Sequence, residues 1–181
     1  MLAPVGAVLG GREGHQRVEE VGHAEAVVGP AAQVAGQGID HAKTLISIAL
    51  SGNVEQLTLL GTDNLNGSGN GLDNVIFGNT GNNILSGLAG NDHMIGKAGN
   101  DTVSGGAGAD TIDGGTGIDI ITGGAGADTL TGGTGADIFV LAAASDLAAG
   151  EVINGTAENG TVDTLRLDAA GTYDLSTFTT I

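Results

Sequence analysis

Cysteine and tryptophan are absent from this 181-residue chain, and aromatic residues make up 2% of it. Without cysteine there is no disulfide framework, no zinc–thiolate site and no thiol nucleophile. With only Tyr173 and three phenylalanines, a conventional globular core built on large rings is excluded. Basic residues are nearly as scarce: 5 Lys and Arg stand against 21 Asp and Glu, a formal charge of −16. That balance opposes nucleic acid and anionic lipid and favours cations. No uninterrupted apolar run approaches a membrane span. The helical zinc-protease pattern HExxH and the nucleophile pattern Gly-x-Ser-x-Gly are both missing, so the chain is expected to be non-catalytic.

The scarcities are uneven along the chain. Residues 1–43 hold five acids and three bases, whereas residues 44–181 hold sixteen acids against Lys97 and Arg166. Residues 1–42 contain no Ser, Thr, Asn or aromatic residue, and both prolines (Pro4 and Pro30) fall there, with His15, His23 and His41. Segment 1–43 therefore reads as a disordered arm, or as sequence foreign to the native protein, with a weak helix at best over Glu13 to Val28. Its histidines read as solvated residues rather than metal ligands. Leu45–Leu50 and Val54–Leu60 are strand-like and are separated by Ser51-Gly52-Asn53.

What the chain has in abundance is glycine, and glycine is periodic. From Gly78 the sequence divides without a slip into GNTGNNILS, GLAGNDHMI, GKAGNDTVS, GGAGADTID, GGTGIDIIT, GGAGADTLT and GGTGADIFV, ending at Val140. Positions 1 and 4 are Gly in all seven units, and position 2 is Gly in the last four. Position 6 is Asn83 and then Asp92, Asp101, Asp110, Asp119, Asp128 and Asp137. Position 8 is always apolar: Leu85, Met94, Val103, Ile112, Ile121, Leu130 and Phe139. Glycines at fixed places imply positive φ or a backbone with no room for Cβ. A short run such as Asp110 to Asp113 suffices for a brief strand with one inward side chain. One apolar residue in nine fills a core only when many units stack.

If two units make one turn of a coil, the acids form two files: Asn83, Asp101, Asp119, Asp137 on one side and Asp92, Asp110, Asp128 on the other. Turns stack about 4.8 Å apart. Two carboxylates at that distance repel by about 3–4 kcal/mol at an effective dielectric of about 20. A hard divalent cation between turns reverses the sign, and small, flexible, oxygen-only loops select calcium over zinc, copper or magnesium. Collagen is excluded by the glycine period, the EF-hand by the lack of a D-x-D-x-D-G run, and phosphate cradles by the carboxylates.

These units resemble the RTX, or hemolysin-type, calcium-binding nonapeptide repeat, whose consensus is GGxGxDxUx. The resemblance implies an all-β parallel β-roll, a β-solenoid, with calcium between loops on both sides. It implies side-chain ligation by Asp92, Asp101, Asp110, Asp119, Asp128 and Asp137. It further implies carbonyl ligands at positions 2 and 4 of one loop, here Gly106, Gly108, Gly115, Gly117, Gly124, Gly126, Gly133 and Gly135. Positions 1 and 3 of the same-side neighbour supply the rest, here Gly114, Thr116, Gly123, Ala125 and Gly132. About five calcium sites are expected, the one between Asn83 and Asp101 weaker. The expected organisation is an irregular segment 1–43, degenerate lead-in rungs over 44–77, the β-roll over 78–140 and a short, truncated β cap over 141–181. In the lead-in, the ten-residue spacings Asp63–Asp73 and Asp73–Asn83 put calcium ligation there in doubt. In the cap, Val162–Leu167 reads as a strand, with Tyr173, Leu175, Phe178 and Ile181 as late core candidates.

The function expected is a calcium-binding module that folds on calcium after secretion, as part of a larger extracellular bacterial protein exported through type I machinery. Two other readings stand beside it. The chain is the non-catalytic C-terminal part of a secreted RTX protease or lipase, or a repeat module of a calcium-dependent adhesin or surface-layer protein. The sequence names no protein or surface partner.

Overall fold

The computed structural model describes residues 38–143, 146, 150–156 and 161–168, and the backbone of 17–21. It is a β-solenoid of two all-parallel sheets, with no α-helix among the described residues. The first sheet holds, in spatial order, β1 (Arg17–Val21), β2 (Asp40–Thr44), β4 (Gln56–Leu59), β6 (Val75–Phe77), β8 (His93–Ala98), β10 (Thr111–Thr116), β12 (Thr129–Thr134) and β14 (Val152–Asn154). The second holds β3 (Ile48–Ala49), β5 (Asn66–Ser68), β7 (Ile84–Ala89), β9 (Thr102–Ala107), β11 (Ile120–Ala125), β13 (Ile138–Leu141) and β15 (Thr164–Leu167). From β2 onward consecutive strands alternate between sheets, so within the repeats each pair of units makes one turn and same-sheet partners are eighteen residues apart, as in Ile112↔Leu130 and Val103↔Ile121.

Through the repeats the core is one apolar row from each sheet, joined toward the ends by Leu50, Leu59, Leu65, Leu141 and Ile153. Leu57, Ile76, Met94, Ile112 and Leu130 stack along one sheet, and Leu85, Val103, Ile121 and Phe139 along the other, each at most 2% exposed. Every position-8 residue is thus interior, because a strand shows alternate faces and only one of its apolar positions falls inward. Burying each such side chain is worth about 1.5–3 kcal/mol, and the row is continuous only because every turn repeats the last.

Strands are longer than the sequence pattern suggests. Each of β7 to β12 spans six residues, positions 7 to 3 of the following unit, and the turn is only positions 4 to 6. Each strand runs through position 1, where a Cβ would strike the position-6 side chain, and through position 2, which takes a positive φ. The eighteen-residue step also begins upstream of Gly78: Gly67 pairs Leu85, and Ile76 pairs Met94. The slip lies one turn earlier, where Leu57 pairs Ile76 nineteen residues on. Of the expected strand Leu45–Leu50 only Ile48–Ala49 pairs, because Asp40–Thr44 takes the preceding place in the other sheet. Most of the weak helix expected over Glu13 to Val28, and all four late core candidates, lie outside the described residues; the five described, Arg17–Val21, are strand paired to β2.

Candidate metal centre

The position-6 acids leave the turns and point inward. Asp92, Asp101, Asp110, Asp119, Asp128 and Asp137 are at most 2% exposed. One oxygen of each is held the same way: the backbone N–H of Asp92 donates to Asp110 Oδ1 at 2.8 Å, that of Asp101 to Asp119 Oδ1 at 2.7 Å, that of Asp110 to Asp128 Oδ1 at 2.8 Å, and that of Asp119 to Asp137 Oδ1 at 2.9 Å. Each acid therefore ties its turn to the one before. The other oxygen, Oδ2, is buried in all six and accepts no hydrogen bond. A buried carboxylate oxygen without a donor costs the desolvation of a charged acceptor unless something positive meets it.

Backbone oxygens converge on the same places. Around the position where a Cβ on Gly105 would stand lie Asp110 Oδ2 and the Gly123 carbonyl. The same pairing recurs at Gly87 (Asp92 Oδ2 and Gly105 O), at Gly96 (Asp101 Oδ2 and Gly114 O) and at Gly114 (Asp119 Oδ2 and Gly132 O). Any side chain at position 1 would collide with both oxygens, so glycine is obligatory there for space. Carbonyls at positions 2 and 4 face the next turn: Gly106 O and Gly108 O abut Gly124 and Gly126, and Gly115 O and Gly117 O abut Gly133 and Gly135. The Thr116 and Ala125 carbonyls accept from Gly99 N–H at 2.9 Å and Gly108 N–H at 2.8 Å, each keeping a second lone pair. The structure therefore sets the Oδ2 atoms of Asp92, Asp101, Asp110 and Asp119 near position-1 carbonyls of the following same-side turn, while the position-2 and position-4 carbonyls face the glycines of that turn.

Electrostatics sharpen the point. All six acids are raised above the usual carboxylate range, first by burial, against the pull of the N–H bond from the preceding turn. Asp110 is pushed up to about 6 and Asp119 to about 7, both with neighbouring file members adding repulsion. No three Asp, Glu or His side chains among the described residues cluster closely enough to hold an ion by themselves. The donor set is paired carboxylates completed by carbonyls, all hard oxygens on adaptable loops, which fits calcium.

The amino-terminal turns differ. Asn74 and Asn83 occupy the same buried position, but Asn74 Oδ1 accepts Asn70 N–H and Asn83 Oδ1 accepts Asn79 N–H, both at 2.8 Å. Their Nδ2 groups donate to the Val54 carbonyl at 3.1 Å and the Leu65 carbonyl at 3.1 Å. The amide thus donates to a carbonyl of an earlier turn, which a carboxylate cannot do, and Asn83 Oδ1 is already engaged by Asn79 N–H. Asp63 and Asp73 are exposed and off the files. Asn74 escapes a search for acids, yet keeping the nine-residue phase back from Asn83 reaches it. The histidines stand apart: His93 is exposed, and the His41 ring shares a 2.8 Å hydrogen bond with the Thr58 hydroxyl.

A search of curated proteins and a search of solved structures each returned no match. A family model does match, twice, over residues 68–103 and 104–139: the RTX calcium-binding nonapeptide repeat. With buried Asp oxygens lacking donors, glycines at close approaches and an eighteen-residue parallel register, residues 68–139 belong to the RTX calcium-binding nonapeptide repeat family.

Proposed function

We propose that this chain is a non-catalytic, calcium-dependent folding module of a larger secreted protein. The observation that carries the reading is the row of six buried Asp Oδ2 atoms without donors in a segment matched by calcium-binding repeats. Extracellular calcium modules bind at about 10⁻⁴–10⁻³ M, far above cytosolic free calcium. Inside a cell the repelling files would keep the coil from closing. Outside, calcium supplies folding free energy because the site exists only in the folded chain. Export through type I machinery, with the polypeptide unfolded in transit, is consistent with that order of events. Residues 38–168 hold neither proline nor cysteine to hinder threading.

Asp119 would serve two intervals, offering Oδ2 toward Asp137 and holding Asp101 N–H with Oδ1. The test is a calcium titration of the full chain followed by circular dichroism. Strand signal should be low in chelator and rise to saturation in millimolar calcium, and Asp119→Ala should weaken the midpoint several-fold more than Asp63→Ala. Strand content indifferent to chelation would overturn the reading.

A further inference from the structure

We infer that two further calcium sites lie beyond the matched repeats, one between Asp128 and Glu151 and one between Asp137 and Asp163. The inference rests on the calcium reading of the repeats but concerns residues outside them. After Val140 the nine-residue period breaks, yet both acid files continue. Asp128 N–H donates to Glu151 Oε2 at 2.9 Å, and Asp137 N–H donates to Asp163 Oδ1 at 2.9 Å. This is the bond that joins every earlier pair in the files, at spacings of 23 and 26 residues instead of 18.

The second observation is the oxygen left over. Asp128 and Asp137 are 0% exposed, and each has a buried Oδ2 with no donor. In the four preceding acids that oxygen and the position-1 carbonyl of the following turn both border the place a Cβ on the position-1 glycine would take. For Asp128 and Asp137 the following turn is the one that carries Glu151 and Asp163. Glu151 Oε1 is likewise buried and unpartnered.

The chain around these acids rebuilds a repeat unit without its sequence. Val152, Ile153 and Asn154 pair with Thr129, Leu130 and Thr131, so they stand at positions 7 to 9. Gly155 then falls at position 1, where a Cβ would strike Asp163 Oδ2 as it strikes the position-6 side chain of every true unit. Thr156 follows with a positive φ of 46°, as position 2 has throughout β8 to β12, and its hydroxyl donates to the Gly133 carbonyl. Leu165 pairs Phe139, placing Asp163 two residues before the apolar position, as in the repeats. The residue in sequence phase, Asp146, does not take the file position: its Oδ2 accepts Ala142 and Ala143 N–H, both at 2.9 Å, and its charge bears on Asp128 and Glu151.

Six Oδ2 atoms facing six intervals give a stoichiometry of six, four within the repeats and two beyond. Calorimetric titration of the full chain with calcium should return six ions, with Glu151→Gln and Asp163→Asn each losing one and the double variant losing two. Circular dichroism at saturating calcium reports whether each variant still gains strand. If a variant does not, the wild-type count decides: fewer than six overturns the inference, as does a double variant with an undiminished count. A wild-type chain that takes up no calcium at all would instead overturn the proposed function.

Discussion

At position 2 of the unit, backbone geometry and side-chain identity disagree in two places. The φ there is +116° at Gly106, +105° at Gly115, +106° at Gly124 and +95° at Gly133, a region open to glycine. Leu88 and Lys97 hold the same place at φ +81° each. A left-handed conformation costs an L-residue about 1–2 kcal/mol, and Leu88, 52% exposed, recovers little of that by burial. Lys97 has some compensation, with its ammonium 5.8 Å from the centre of the Phe77 ring. Leu88→Gly should therefore raise stability by about 0.5–1 kcal/mol after the entropy cost of glycine. Denaturant midpoints in saturating calcium would show it, and an unchanged or lower midpoint would refute the strain argument. Conversely, any residue but glycine at Gly105 or Gly114 would put its Cβ onto an Asp oxygen and a carbonyl.

Among the elements, the division falls between turns closed by amides and turns closed by carboxylates. Asn70 Nδ2 reaches the Ser51 and Val54 carbonyls at 2.7 Å each, and Asn79 Nδ2 reaches the Leu60 and Asp63 carbonyls at 3.0 Å each. With Asn74 and Asn83 these bonds knit β4, β5 and β6 without any ion. In chelator, amides of β4 to β6 should exchange with solvent more slowly than those of β9 to β12. Asn74→Asp and Asn83→Asp should each cost about 1–3 kcal/mol by replacing a donor with a charged acceptor, read as lost protection in β4 to β6. Equal exchange along the whole array would contradict this division.

Much of this was legible in the sequence, and the exceptions have reasons. Periodicity places Leu85 through Phe139 inside and the six Asp in two files, because translation leaves each phase a single environment. The strand limits were not legible, since glycines that read as loop fall inside the strands. Glu151 and Asp163 were hidden by inserted residues that lengthen the loops without shifting the rungs, while Asp146 holds the phase and performs a different task.

For the molecule as a whole, the raised carboxylates set the response to acid. Each of these groups titrates higher folded than unfolded, so the folded state binds more protons between the ordinary aspartate value and the shifted ones. Stability without calcium is then greatest at low pH and falls as pH rises from about 4 through about 7. Glu151, pushed up to about 7, acts in the same sense. In chelator, strand signal should increase when pH is lowered from 7.5 to about 5, and the calcium midpoint should move to higher concentration over the same range as protons compete. A chelated protein that loses strand on acidification would contradict the assignment of burial as the leading cause.

The eighteen-residue register carries one more consequence, for how such a molecule changes size. Because each rung is the previous one displaced along a single axis, excising two consecutive units rejoins equivalent points on the same face. Excising one unit would send every later aspartate to the opposite wall. Length in this architecture is therefore quantised by even numbers of units, and a gene duplicating in multiples of eighteen codons could lengthen the rod without redesigning either end.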